Sequence, residues 1–270
     1  MHYLIQENIF KERNYNLIIS TVERYQLPHT IVKIFPYSDK IVDINDYYEG
    51  CNVDELPDVN VEGKVFVFGA VKIARIAKLK NYYPGSLLNE NHDYEVYSHY
   101  YKDNLLNFDS KICGVLEFFK WDDDKKFIRP TKDSKIFTGK IYKENEWDDK
   151  RTDLRNNNFY NQLAEDENLP NIQVSSCKKI YKEVRYWSIG GKIVTGSTYS
   201  STFTTGYTDK DSLVFAQSMV DLYQPAEAFV IDVCLTDNGW KIVEINCINC
   251  AGFYEGSLSL ILQALENLYE

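Results

Sequence analysis

Along the chain, apolar residues come first in short runs and then in helical spacing, and the period changes several times. Leu17-Ile18-Ile19 and Thr30-Ile31-Val32-Lys33-Ile34-Phe35 are short β-branched runs of the kind strands use. Val65-Phe66-Val67-Phe68-Gly69 reads as a buried strand, and residues 71–80 follow with helical apolar spacing. A strand that passes through glycine into a helix is the usual α/β crossover, so the chain up to about residue 90 predicts an alternating α/β unit. One glycine at that junction is too little for a dinucleotide fingerprint, and packing of helix on sheet accounts for it. Tyr82-Tyr83-Pro84-Gly85 interrupts the pattern and marks the expected boundary between residues 1–85 and 86–270.

Beyond that boundary the spacing predicts a helical segment over residues 114–119, then strands and polar turns. Phe127-Ile128-Arg129-Pro130 reads as a short strand followed by a polar loop over 131–139. Residues 145–170, rich in Glu, Asp and Asn, predict a surface helix and loop. Residues 182–188 and 192–199 read as two strands joined around Gly190-Gly191. Thr208-Asp209 opens a helix that runs to Tyr223, and residues 256–269 form an amphipathic closing helix. There is no internal repeat.

Composition narrows the class. The chain has 270 residues, 44% apolar and 26% charged, which is globular usage for one large domain or two modest ones. Lys and Arg total 30 against 40 Asp and Glu, a net charge of −10, so no basic footprint points to nucleic acid. No apolar run approaches the roughly 18 residues of a membrane span, and the N-terminus shows no signal-peptide pattern. The expectation is a soluble, cytoplasmic, acidic protein. Six scattered cysteines do not suggest a disulfide framework. Cys247-Ile248-Asn249-Cys250 is a C-x-x-C, but no second ligand pair accompanies it for zinc, and buried thiols are the plainer reading.

The most informative stretch is residues 228–246. Two β-branched runs around Asp237-Asn238-Gly239 predict an antiparallel hairpin. With a three-residue loop, Thr236 faces Trp240, which places Asp232 opposite Glu244 and Val230 opposite Asn246. A two-residue Asn238-Gly239 turn would instead face Asp232 with Ile245. Opposed carboxylates with Cβ atoms about 5 Å apart repel each other and call for a counter-charge. A hard divalent cation held by oxygens, with Asn246 adding a carbonyl, is one answer. A pair of solvent-facing acids on a half-exposed sheet is the other, and the apolar surroundings favour the metal.

Mg²⁺ usually binds through one or two carboxylates plus substrate phosphates, which directs attention to upstream cations. Arg129 lies in a strand, Lys135 in the polar loop after it, and Glu183, Arg185 and Trp187 alternate along one strand and share a face. Singly, each reads as a structural ion pair or a solvated charge; the signal lies in the set.

Taken in order, Phe127-Ile128-Arg129-Pro130, Lys135 with Phe137-Thr138-Gly139, Glu183-x-Arg185, Ile231-Asp232-Val233 and Val243-Glu244-Ile245-Asn246 resemble the ATP-grasp superfamily. More closely they resemble its clade named for two arginines and one lysine, over roughly residues 85–270. The resemblance implies a mixed α+β and α/β architecture: an ATP-grasp fold of two α+β subdomains gripping ATP, preceded by a small α/β pre-ATP-grasp-like domain. It implies Arg129 on the α/β-phosphates, Lys135 on a mobile loop over the phosphates, and Ser176-Cys177-Lys178-Lys179 as the hinge beside adenine. Glu183 would bind the ribose hydroxyls, and Asp232, Glu244 and Asn246 would hold Mg²⁺. Many such ligases carry an arginine two residues before the first metal acid, where this chain has Val230. Arg185 is the candidate to replace it, and the identity of the transition-state cation stays open. The implied activity is an Mg²⁺- and ATP-dependent ligase joining a small-molecule or peptide carboxylate to an amine through an acyl-phosphate. The alternative is an ATP-binding sensor or assembly module without ligase activity.

Overall fold

The computed structural model describes residues 1–8, 11, 14–132, 137–156, 171–199 and 204–270. The chain opens with a strand, β1 (His2–Gln6), followed by α1 (Tyr15–Arg24), β2 (His29–Ile34), β3 (Ile41–Asp43), β4 (Lys64–Phe68), α2 (Val71–Leu79) and β5 (Tyr83–Gly85). These strands form one sheet in the order β3-β2-β1-β4-β5. It is parallel from β2 to β5, with β3 antiparallel at the edge. Successive side chains of a strand point to opposite faces. Leu4, Val65 and Val67 accordingly pack with Ile73, Ile76 and Ala77 of α2, while Tyr3, Ile5, Phe66 and Phe68 pack on the other side with Ile18 and Val22 of α1.

Residues 17–19, which look like strand, belong to α1. The reason is the longer period: Ile18 and Val22 are buried four residues apart and Leu17 is exposed, which is one face of a helix.

Next come α3 (Tyr94–Tyr101) and a second sheet of β6 (Lys111–Gly114), β7 (Lys126–Pro130), β8 (Lys140–Tyr142) and β9 (Asn171–Ser176), in the order β6-β9-β7-β8. Helix α4 (Glu144–Asn156) buries Trp147 and Leu154 against Ile128, Ile172 and Val174 of this sheet. The helix expected over 114–119 is absent. Gly114 ends β6, pairing with Asn171, and Val115 drops into the core under α4, so these apolar residues serve a sheet edge and its turn.

A third sheet, antiparallel throughout, consists of β10 (Lys182–Ile189), β11 (Lys192–Tyr199), β12 (Thr204–Thr205), β13 (Ala228–Thr236) and β14 (Gly239–Cys247), ordered β12-β11-β10-β13-β14. Its two helices, α5 (Lys210–Leu222) and α6 (Leu258–Leu268), lie where the spacing predicts them. Asp209 caps α5 by accepting the Ser212 N–H at 2.7 Å. One sheet face, including Val184, Tyr186, Phe229, Ile231 and Ile242, is covered by α3 and α5. The opposite face is divided. Its Trp187, Ile189, Ala228 and Val230 form a single core with α6 and with Tyr3 and Phe66 of the first sheet. Toward the other end the same face carries Glu183, Arg185, Asp232, Glu244 and Asn246. The site begins where the apolar packing stops. No helix among the described residues is long and apolar enough to cross a membrane.

Candidate active site

The hairpin of β13 and β14 does bring Asp232 opposite Glu244 and Val230 opposite Asn246, by a different route from the expected one. The loop contains two residues, not three: Thr236 pairs with Gly239, and Gly239 takes φ +83°, a conformation glycine adopts without steric cost. The register then shifts by one residue between Asp232 and Val233. This β-bulge leaves Val243 as the extra residue and returns both acids to the same row.

That row extends across the sheet. Arg185 in β10 is directly opposite Asp232, and its guanidinium grips the carboxylate with both arms, Nε to Oδ1 at 2.8 Å and Nη2 to Oδ2 at 2.7 Å. Nη1 donates to the Gly252 carbonyl at 3.2 Å. Asp232 is 1% and Arg185 7% exposed, so the pair is charge-assisted and out of water. Tyr254 lies under the guanidinium, its ring centroid 4.6 Å from Cζ, and Tyr199 stacks on Tyr254 at 4.9 Å. Burial pushes the Asp232 carboxyl upward and nearby Glu244 adds to this, while Arg185 opposes both. Arg185 itself is held firmly charged: Asp232 outweighs the desolvation that would lower it.

The second acid is met from another sheet. Arg129 of β7 reaches over to the third sheet and pairs with Glu244 through Nη1 and Oε2. Asn246 donates Nδ2–H to Glu244 Oε1 at 3.0 Å and lies 3.5 Å from Asp232 Oδ2. Burial alone would raise the Glu244 carboxyl, but Arg129, Asn246 and Arg185 together hold it down to about 2. Gly139 immediately precedes β8, and a Cβ there would stand 2.6 Å from Arg129 Cβ, so the chain passes directly over this arginine.

Of the other expected site residues, Glu183 lies two residues from Arg185 on the same face, opposite Tyr199 and Cys234. Burial raises its carboxyl, opposed by a hydrogen bond with Tyr199. Ser176 and Lys178 converge on Asp109: Ser176 Oγ donates to Oδ2 at 2.7 Å and Lys178 Nζ to Oδ1 at 2.8 Å. Cys177 is exposed with its thiol 3.6 Å from the Lys125 carbonyl, and Lys179 Nζ lies 4.6 Å from the centre of the Tyr181 ring. Residues 176–179 thus sit on the connection that carries the chain from the second sheet into the third. Lys135 lies outside the described residues.

The C-x-x-C is not a disulfide here: Cys247 is buried, Cys250 half-buried, and both remain thiols. Its third residue, Asn249, which the sequence pattern does not single out, ties the first sheet to the end of β14. Asn249 Nδ2 donates to the Val67 and Gly85 carbonyls at 2.7 and 3.2 Å, while its Oδ1 accepts the Leu87 N–H at 2.8 Å. Among the described residues no group of three His, Cys, Asp or Glu side chains gathers as a metal cage would require. The set available is two opposed carboxylates and one amide. That donor set suits an Mg²⁺ completed by phosphate oxygens better than a self-sufficient protein site.

The chain matches, over residues 84–265, the family model for an ATP-grasp domain, family 3 of the clade named for two arginines and one lysine. No curated protein sequence matches it. Among solved structures it is similar to D-alanine–D-alanine ligase from Bacillus anthracis complexed with ATP, at 11% identity and a TM-score of 0.56, covering 99% of this chain and 91% of that one. It is also similar to a RimK domain ATP-grasp protein from Sphaerobacter thermophilus, at 10% identity, TM-score 0.59 and coverage of 93% and 92%. A third is the macrocyclase MdnC bound with precursor peptide MdnA from Microcystis aeruginosa, at 12% identity, TM-score 0.54 and coverage of 100% and 99%. At these identities the likeness establishes the fold across the whole chain. With the family model spanning most of its length, the chain belongs to the ATP-grasp superfamily, in the two-arginine, one-lysine clade.

Proposed function

We propose that ATP binds with Mg²⁺ between the second and third sheets, beside Arg129, Arg185, Asp232 and Glu244, and that the protein is an ATP-dependent ligase joining a carboxylate to an amine. One observation carries this reading: two arginines from two different sheets, Arg129 and Arg185, converge on two opposed acids, Glu244 and Asp232. Planar guanidinium groups suit phosphate oxygens. The acids supply what a divalent cation needs beside a triphosphate.

In this reading Asp232, Glu244 and Asn246 would hold Mg²⁺, which would supply charge neutralisation for the transferred phosphoryl group. Arg129 moves from Glu244 to the α/β-phosphates. Residues 176–179 lie beside adenine and Glu183 takes the ribose hydroxyls. Arg185, next to the transferred group, provides the cation that many relatives place two residues before the first acid. Position 230 cannot do so, since Val230 is fully buried in the core against α6.

ATP enters as a substrate. A carboxylate oxygen bonds to the γ-phosphorus as the bond to ADP breaks, and the amine nitrogen then attacks the acyl carbon and phosphate leaves. Such chemistry asks for alignment and charge stabilisation more than for a protein nucleophile. The names of the similar structures point to acceptors of the amino-acid and peptide type, a D-alanine–D-alanine ligase and a macrocyclase with its precursor peptide. An ATP-consuming enzyme whose cysteines remain thiols fits the cytoplasm.

The test is ADP release with Mg²⁺ across a library of amino acids and short peptides. Turnover with at least one carboxylate–amine pair supports the ligase. Nucleotide binding without turnover in any of them favours the sensor or assembly module.

A further inference from the structure

Both acids of the hairpin already carry a counter-charge from the protein, and the two arginines that supply it are held very differently. Arg185 grips Asp232 with two arms, donates a third bond to the Gly252 carbonyl and rests on the Tyr254 ring. Its strand and that of Asp232 are paired in one sheet, and the two side chains are only 9% and 1% exposed. Withdrawing either partner would leave a buried charge alone, so this pair belongs to the fold. Arg129 comes from a different sheet, and its side chain and that of Glu244 keep 22% and 23% exposure. An ion pair with that access to water is worth little and exchanges partners readily.

While that pair stands, Glu244 has little capacity to spare. Arg129 occupies Oε2, and Asn246 Nδ2–H occupies Oε1 at 3.0 Å. Burial works against the ionised carboxyl, and Arg129 is the strongest of the groups that overcome it. A bare divalent cation arriving here meets two guanidinium groups whose charge the two acids already match. Cations so close together repel strongly where little water screens them. A nucleotide reverses this balance. Its phosphate oxygens suit a planar guanidinium and draw Arg129 off the acid, and the freed Glu244 oxygens then face a cation that the same phosphates also hold.

We propose that Arg129 is a latch on the metal site: in the free protein it takes the place of a divalent cation at Glu244, so the site accepts the cation only together with a nucleotide. This rests on the reading of the site as one for ATP. Metal and nucleotide then bind with positive coupling, each raising the affinity for the other by the same factor. Asp232 keeps Arg185 throughout, since an ionised carboxylate has lone pairs beyond the two that Arg185 occupies.

The experiment is equilibrium dialysis of Mn²⁺, a countable substitute for Mg²⁺ on carboxylate ligands. The proteins are wild type, Arg129→Met and Arg129→Met/Glu244→Gln, each with and without a non-hydrolysable ATP analogue. Wild type holds Mn²⁺ with the analogue, and at least about tenfold more weakly without it. Arg129→Met binds Mn²⁺ alone at least about tenfold more tightly than wild type does, and the added Glu244→Gln change removes that gain. Equal Mn²⁺ affinity of wild type with and without the analogue overturns the coupling. An Arg129→Met protein that takes up Mn²⁺ alone no better than wild type overturns the latch while leaving the ATP site standing. If Arg129→Met does not fold, Glu244→Gln decides. It frees Arg129 for phosphate, so it binds the analogue in EDTA more tightly than wild type does, and equal or weaker binding overturns the latch. A wild-type protein that binds the analogue but no Mn²⁺ overturns the metal assignment, and one that binds neither overturns the ATP site; the latch falls with either.

Discussion

Arg185 holds both carboxylate oxygens of Asp232 across two adjacent strands, at 2.8 and 2.7 Å, with the two side chains almost entirely out of water. The acid that heads the proposed Mg²⁺ site is therefore also half of a buried ion pair. Removing one partner of such a pair leaves an uncompensated charge and costs about 3–5 kcal/mol. Asp232→Asn should lower the unfolding free energy in urea on that scale, and Arg185→Met/Asp232→Leu by less than the two single changes combined. A loss below about 1 kcal/mol in Asp232→Asn would show that the pair is solvated. Glu244, whose side chain retains 23% exposure, is the cleaner probe of the nucleotide because its replacement disturbs the fold less.

Gly139 allows the chain to pass over Arg129, and a methyl group there would stand 2.6 Å from Arg129 Cβ. Gly139→Ala is expected to displace the arginine and weaken MgATP binding by about tenfold, the scale of a lost contact to a charged group. Equal affinity of the variant and wild type in a titration would remove Arg129 from the phosphate site.

Asp209 caps α5 and pairs with Lys182 Nζ at 2.6 Å. Burial acts to raise its carboxyl, but Lys182 and the Ser212 contacts outweigh that and hold it below the usual carboxylate range. A depressed folded-state value means the contribution is complete above the unfolded pKa, near 3.9, and fades as pH falls through the folded value. Asp209→Ala should cost about 1 kcal/mol at pH 7. The gap to wild type should narrow below about pH 4, in urea unfolding followed at several pH values. A gap that widens in acid would contradict the assignment.

Asn249 makes three hydrogen bonds that join the first sheet to the end of β14, whereas the flanking cysteines form no disulfide. Asn249→Ala, which orphans two buried carbonyls and one N–H, is expected to cost about 2–4 kcal/mol. Cys250→Ser should retain MgATP binding and turnover. Loss of turnover in Cys250→Ser, with folding intact, would assign the motif a chemical role.

The sequence makes the local pattern legible and leaves the long-range pairing hidden. Strands β4, β7, β10, β11, β13 and β14 and helices α2, α5 and α6 follow from period and turn chemistry. Helix α1 is hidden because its three consecutive apolar residues mimic a strand until Val22 shows the longer period. The opposition of Asp232 and Glu244 is legible although its mechanism is not: a shorter loop and a bulge together shift the register by the same single residue that a longer loop would. Arg129 meeting Glu244, Tyr254 under Arg185, and Asn249 binding Val67 and Gly85 join residues far apart in the chain, which no spacing rule reaches. The polar side of β9 is legible as well, since Asn171-Ile172-Gln173-Val174-Ser175 alternates polar and apolar residues. That alternation signals a polar face, but not that the face is buried.

The most direct test of the account is Mg²⁺-dependent ADP release by wild type and by Glu244→Gln, with amino acids and short peptides supplied as carboxylate and amine, and with mass analysis of the products. The account predicts ADP from the wild-type protein with at least one pair, accompanied by a product equal to the summed substrates less one water. Glu244→Gln, folded by circular dichroism, should give neither. ADP and product at undiminished rates from Glu244→Gln, or ADP from wild type with no condensed product, would contradict it.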